Sequence, residues 1–148
     1  MPGFKEIRHT FHFASTPDKI MNALTEAHTI QKWWTKNASV KNGKGLFEWE
    51  GYGWTVELTM EKSEADNTVT WKCTKSNMQD THAWEGTTML FKLTPDESGT
   101  KVDFTQSDYR ESPCYNACHE GWRYFLGASL KGYLETGKGV PYPETQNT

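Results

Sequence analysis

The spacing of hydrophobic and polar positions changes along the chain, and each change marks a different kind of element. Near the N-terminus, Ile7, Phe11 and Phe13 fall on one parity, which is the period-two pattern of a strand with one buried face. His9 lies on the same parity and is interpreted as a hydrogen-bonded core histidine. The chain is therefore predicted to begin with a strand.

Two short helices are predicted after this strand. In the stretch STPDKIMNALTE, Ser15 or Thr16 is a suitable N-cap, and Pro17 occupies the first helical position. A second helix is expected through Ile30, Trp33 and Trp34. Trp34 is on a different face from Trp33, and packing at the surface or as a lid is considered as plausible for it as core packing.

From Gly43 onward the apolar residues alternate with polar ones, and turn signals at GYG, Asp66-Asn67 and PDESGT separate the runs. This pattern predicts antiparallel strands with one covered and one wet face. The predicted inward positions are Phe47, Trp49, Trp54, Val56, Leu58, Met60, Val69, Trp71, Cys73, Met89, Phe91, Leu93, Val102, Phe104 and Gln106.

One long C-terminal helix is predicted to cover the sheet. Ser112 is a plausible N-cap, Pro113 takes the first position, and Gly137 ends the helix. Its apolar face carries Trp122, Phe125, Leu126, Leu130 and Tyr133. Because Gly121, Gly127, Ala128, Ser129 and Gly132 are all small, we expect a hollow beneath this helix near Ser129, with close approach of a loop or second subunit as the alternative.

Composition limits the class of protein. A chain of 148 residues is expected to form one domain, 1–148, with 139–148 as a loose tail. A net charge of −3 with dispersed basic residues argues against nucleic acid as a partner. No apolar run approaches the length of a membrane span, so a cytoplasmic location is expected. The three cysteines fit reduced thiols better than disulfides.

The motifs WWT, LFEWEG, VTWKC, WEGTTMLFKL, GTKVDFTQ and GWRYFLGASLKGYLETGKGVP together resemble the SRPBCC or START-like superfamily. The similarity is greatest to the branch named for the activator of the heat-shock-protein-90 ATPase. The resemblance implies an α+β helix-grip fold, in which a curved antiparallel sheet wraps around the long C-terminal helix. It also implies a cavity between sheet and helix, which many members use for lipids, sterols, polyketides or other apolar molecules.

Aromatic side chains are the first candidates for the lining of such a cavity, because seven tryptophans are more than a domain of this size usually needs. A simple aromatic core is the alternative. The polar candidates are Gln106 and Tyr109 near the predicted mouth, and Glu85 or Thr87 at inward parity. The full set of predicted ligand-binding residues is Trp33, Phe47, Trp49, Trp54, Trp71, Trp84, Glu85, Thr87, Met89, Phe91, Phe104, Gln106, Tyr109, Trp122, Phe125, Leu126 and Ser129.

Three functions remain open at this point. The first is a binding module for a hydrophobic small molecule, with no cofactor. The second is a co-chaperone-like interaction module, although the resemblance covers only one of the two domains of such activators. The third is a cyclase-like enzyme, but no catalytic set is visible. Cys114, Cys118 and His119 could form at most a partial metal site. The preferred interpretation is that these residues pack on a helix face and that the thiols have no chemical role.

Overall fold

The computed structural model describes residues 4–49, 51–78, 82, 84–110 and 115–142. Seven strands form one antiparallel sheet in the order β1-β7-β6-β5-β4-β3-β2. The strands are β1 Phe4–Phe13, β2 Asn37–Lys41, β3 Lys44–Trp49, β4 Trp54–Ser63, β5 Thr68–Ser76, β6 Thr88–Asp96 and β7 Gly99–Arg110. Strands β2 to β7 follow each other as a meander, and β1 pairs with β7 at the far edge.

The alternating pattern predicted these strands correctly, except that β2 was not foreseen. Along β3, buried and exposed positions alternate strictly from Lys44 to Trp49. Strand β2 is short and lies at the edge of the sheet, so it buries little. Its apolar residues are limited to Ala38 and Val40. Such a weak apolar signal does not distinguish an edge strand from a loop.

The helices are α1 Pro17–Thr25, α2 Ala27–Trp33, α3 Tyr115–Tyr124 and α4 Lys131–Thr136, with a π-helical segment Phe125–Leu130 joining the last two. Thr16 is the N-cap of α1, where its side chain accepts a hydrogen bond from the Lys19 amide at 3.4 Å. Gly137 ends α4 with a φ of 85°, as predicted. The predicted N-cap Ser112 and Pro113 lie outside the described residues. None of the described helices has the length and apolarity required to cross a membrane.

Stacked aromatic rings fill much of the space between the sheet and the helices. The indole N–H groups of Trp33 and Trp71 donate to the carbonyls of Ala23 and Leu24 at 2.8 and 3.0 Å. These carbonyls belong to the last turn of α1, which has no intrahelical donors left for them. The two indoles therefore fasten α1 to the core.

Trp34 is not at the surface, and the expectation of surface or lid packing is wrong. Its side chain is 2% exposed. Its ring centroid lies within 6 Å of the ring centroids of Trp33, Phe47, Trp49, Trp71 and Trp122. Trp34 is the C-cap of α2, and its ring stacks on that of Trp33 with the centroids 5.9 Å apart and an interplanar angle of 13°. Helical periodicity could not place its ring, because the helix ends at Trp33.

Ser129 connects three parts of the chain. Its hydroxyl donates to the carbonyl of Trp33 at 2.6 Å and accepts from the amide of Val140 at 2.8 Å. Two residues later, the amide of Tyr142 donates to the carbonyl of Trp34 at 2.8 Å. Pro141 and Tyr142 are buried, whereas a loose tail was expected from residue 139. The hollow expected beneath Ser129 is therefore occupied by protein.

Candidate functional site

A cavity of about 190 Å³ lies at the end of the long helix where α3 begins, and five parts of the fold form its walls. The long helix, the end of α2, the β3–β4 hairpin, the segment before β6 and the C-terminal segment each contribute. The lining residues are Trp34, Trp49, Tyr52, Trp54, Met78, Trp84, Cys118, Gly121, Trp122, Phe125 and Tyr142. Each of these side chains is aromatic, sulfur-containing or absent, and none carries a formal charge.

Pairs of parallel rings give the cavity flat walls. Trp84 and Trp122 stack with ring centroids 5.3 Å apart and an interplanar angle of 18°. On the hairpin, Tyr52 and Trp54 stack at 4.2 Å and 10°. Tyr52 is 50% exposed, so the stacked hairpin pair lies where the cavity meets solvent. Flat walls of this kind match a flat ligand, which can make offset-stacked contacts with them.

A buried hydrogen-bond network behind the wall holds Trp84 and Trp122 in place. The indole N–H of Trp122 donates to Oε1 of Gln106 at 2.8 Å, and Nε2 of Gln106 donates to Oγ1 of Thr87 at 3.1 Å. The Thr87 hydroxyl in turn donates to the carbonyl of Trp84 at 2.7 Å. Since Gln106 and Thr87 are at most 1% exposed, they position the wall and do not reach into the cavity.

Gly121 leaves room on the helix side of the cavity. A Cβ atom added at this position would meet no heavy atom within 4 Å outside its own stretch of helix. By contrast, a Cβ at Gly127 would lie 3.0 Å from the ring of Phe11, and one at Gly132 would lie 2.8 Å from the carbonyl of Lys138. Among these three helix glycines, Gly121 is therefore the one that faces open space and also lines the cavity.

The structure divides the predicted ligand-binding residues into two groups. Those that line the cavity are Trp49, Trp54, Trp84, Trp122 and Phe125. Those buried away from its lining are Trp33, Phe47, Trp71, Thr87, Met89, Phe91, Phe104, Gln106, Leu126 and Ser129. Glu85 is half-buried in a turn, where its carboxylate accepts from the Ser76 amide at 3.1 Å. The side chain of Tyr109 lies outside the described residues.

Sequence reasoning missed six lining residues: Trp34, Tyr52, Met78, Cys118, Gly121 and Tyr142. Of these, Gly121 was one of the small helix residues from which a hollow was predicted, because interior helix glycines are costly and need a local reason, but the hollow was placed near Ser129. Tyr52 had a weaker signal, since it is an aromatic residue inside the GYG turn. Tyr142 follows the last predicted element and had no periodic pattern that could mark it.

Burial shifts the pKa of His9 and of Cys73, which both lie outside the cavity lining. Nε2 of His9 lies 3.0 Å from the carbonyl of His119, and burial lowers the pKa of His9. Burial raises the pKa of Cys73 to about 12, so this thiol is neutral at physiological pH. Among the residues described, no group of three or more His, Cys, Asp or Glu side chains is arranged to hold a metal ion. Cys114 lies outside this part of the chain.

Comparison with solved structures defines the class of protein. The solution structure of the Aha1 dimer from Colwellia psychrerythraea is 34% identical, covers 91% of this chain and 99% of that one, and has a TM-score of 0.75. A protein of Staphylococcus saprophyticus, SSP2350, is 21% identical over 92% and 96% of the two chains, with a TM-score of 0.68. A START superfamily protein from Mycobacterium smegmatis has a TM-score of 0.66 at 12% identity, covering 89% and 97%. The fold is therefore START-like, as the sequence predicted.

The family follows from a match to its sequence model. The family described as Activator of Hsp90 ATPase homolog 1-like protein matches residues 14–135, which is most of the chain. The chain belongs to this family. No curated protein sequence matches it.

Proposed function

We propose that this protein binds a small apolar or aromatic molecule in the cavity between the hairpin and the C-terminal helix. The observation that carries the proposal is a ring-walled space of about 190 Å³ whose described lining has no formal charge. Pockets for drug-sized ligands usually measure roughly 300–1,000 Å³. A compact ligand, about the size of one fused ring pair, suits this smaller space.

The expected affinity follows from the area that such a ligand would bury. A ring system the size of an aromatic side chain buries about 150–250 Å². At about 25 cal/mol per Å² this burial contributes about 4–6 kcal/mol. Before any specific polar contact is added, the dissociation constant is therefore expected between about 1 mM and tens of micromolar. Saturable binding in this range is what the proposal requires.

Binding is favoured over acid–base catalysis because of the chemistry of the wall. General acids and bases are usually His, Glu, Asp, Lys, Tyr or Cys side chains with tuned pKa values. The described part of the lining has two tyrosines and Cys118, but no His, Asp, Glu, Lys or Arg. The sulfur of Cys118 accepts the indole N–H of Trp84 at 3.3 Å, so it already has a structural partner.

Substitution Gly121→Leu tests the proposal. The new side chain would project from the helix into the open space at Gly121, and leucine has a better helix propensity than glycine by about 0.8 kcal/mol. We expect a folded protein, at least as stable as the wild type, that no longer binds a hydrophobic fluorescent probe. Saturable probe emission in the wild type and its loss in Gly121→Leu are the expected results.

Ala128→Leu is the matched control. Ala128 lies on the exposed side of the same long helix and does not line the cavity. This variant adds the same side chain and should bind the probe as the wild type does. Unchanged probe binding by Gly121→Leu would show that the cavity is not the binding site and would refute the proposal.

A second candidate function is an interaction with the heat-shock-protein-90 chaperone. It is supported by the family match over residues 14–135 and by 34% identity with a protein named Aha1. Stimulation of the chaperone's ATPase by the purified protein would support this role. Stimulation that survives Gly121→Leu would separate it from ligand binding. Either role fits the cytoplasmic location expected from the sequence, which cell fractionation would test.

A further inference from the structure

The buried indole N–H groups differ in whether the protein supplies an acceptor. Six of the seven tryptophans are buried. Four of these six donate to protein atoms: Trp33 to the Ala23 carbonyl, Trp71 to the Leu24 carbonyl, Trp84 to Cys118 Sγ and Trp122 to Gln106 Oε1. The remaining two are Trp34 and Trp49, and both line the cavity.

Trp34 and Trp49 meet edge to face at 5.3 Å, and neither indole N–H has an oxygen, nitrogen or sulfur acceptor among the described residues. The two side chains are only 2% and 4% exposed. Among the described residues, only one side-chain oxygen or nitrogen is both shielded from solvent and without a hydrogen-bond partner, and that atom is Ser15 Oγ. The indole nitrogens are therefore accessible, and the accessible space that these two residues share is the cavity.

Tyr142 adds a third donor. Its hydroxyl oxygen accepts from the Gly51 amide at 2.8 Å, but its own proton has no acceptor in the part of the chain that the structure describes. Tyr142 is 6% exposed and also lines the cavity. A phenolic hydroxyl can donate and accept at the same time. This hydroxyl is thus oriented by the backbone and free to donate.

Acceptors are scarce on the same wall. Cys118 Sγ already accepts from Trp84, and the Met78 thioether is a weak acceptor. Among the described lining residues there is no cationic side chain to offset an anionic ligand, whose charge would be costly to bury. This part of the lining therefore offers surplus donors and no compensating positive charge.

We infer that the ligand is a neutral, flat aromatic molecule carrying a hydrogen-bond acceptor, of the class of aromatic ketones, lactones and related carbonyl compounds. Its oxygen accepts from Trp34, Trp49 or Tyr142 while its rings stack on the aromatic walls. This inference rests on the proposed function of the cavity and adds the polarity of the ligand to it. A ligand without an acceptor leaves these donors unpaired once it has displaced the water.

Three probes of similar size and shape test ligand binding and the preference for an acceptor separately. Indanone carries a carbonyl acceptor, indene carries no polar group, and indole carries a donor. Titrations of ¹⁵N-labelled protein would follow the indole N–H resonances of the seven tryptophans. We expect indanone to bind about 3- to 10-fold more tightly than indene or indole, the effect of one net hydrogen bond. The Trp34 or Trp49 N–H resonance should move downfield with indanone alone.

Trp49→Phe and Trp34→Phe remove one donor each and retain a ring, so at least one of them should reduce the preference for indanone over indene to below 2-fold. Trp84→Phe is the matched control, because it shrinks the same wall but removes an N–H that already donates to Cys118. It should keep the preference of the wild type.

The outcomes are distinct. Binding of indanone and indene with equal affinity, or tighter binding of indole, would overturn the inference and leave the proposed function standing. Saturable binding of none of the three probes would refute the proposed function itself, and the inference with it. Because the wild-type titration alone decides between these results, a variant that fails to fold does not prevent the test.

Discussion

Replacing Gln106 with Met removes the hydrogen-bond network behind the cavity without emptying its space. Gln106 is fully buried, accepts from Trp122 at 2.8 Å and donates to Thr87 at 3.1 Å. The indole N–H of Trp122 would lose its acceptor while buried, which costs about 1–3 kcal/mol. Thr87 would keep its bond to the Trp84 carbonyl and lose one donor, a smaller effect of about 0.5–1.5 kcal/mol.

Together these changes predict that Gln106→Met lowers the free energy of unfolding by about 1.5–4.5 kcal/mol. For a chain of this length, that loss corresponds to a fall in Tm of roughly 3–18 °C. Urea denaturation followed by tryptophan fluorescence measures the loss directly, with an unchanged m value expected. The Trp122 indole resonance should also move upfield, because its strong acceptor is gone.

Gln31→Met is the matched control. The amide of Gln31 donates to the Ala38 carbonyl at 2.8 Å, but this residue is only half-buried, so water can replace the bond. We expect a loss below about 1 kcal/mol. If Gln106→Met were no more destabilising than Gln31→Met, Gln106 would not be holding Trp122, and the account of the wall would be wrong.

Two further predictions concern the core around the cavity. Ser129→Phe should destabilise the protein by more than about 3 kcal/mol, because the Ser129 hydroxyl is hydrogen-bonded to Trp33 and Val140 and its site has no space for a ring. A stable variant that only loses probe binding would show that a hollow does lie there. Because burial raises the pKa of Cys73 to about 12, its neutral thiol should resist iodoacetamide at pH 8 and react only after unfolding. Mass spectrometry with and without urea measures this, and rapid labelling of Cys73 in the native protein would contradict its burial.

Most of the fold could be predicted from the sequence, because its signals are local. Period-two alternation shows which side of a strand is buried, and it is regular enough in β3 to β7 to identify each of these strands. Thr16, Pro17 and Gly137 define helix ends through the chemistry of their own backbone neighbourhood. Strand β2 was missed because an edge strand of five residues buries little and leaves a weak pattern.

The location of the cavity was decided only by the tertiary structure. Parity shows that Trp49 and Trp71 both point inward, but it cannot show what lies opposite each ring. Trp71 meets Trp33, Trp34, Phe91 and Trp122 and becomes core, whereas Trp49 borders open space. Whether an inward side chain is packed or faces a hollow depends on residues far away in the chain, such as Tyr142, which closes one wall. Sequence periodicity reports the direction of a side chain, and the packing of distant segments determines whether any space remains in front of it.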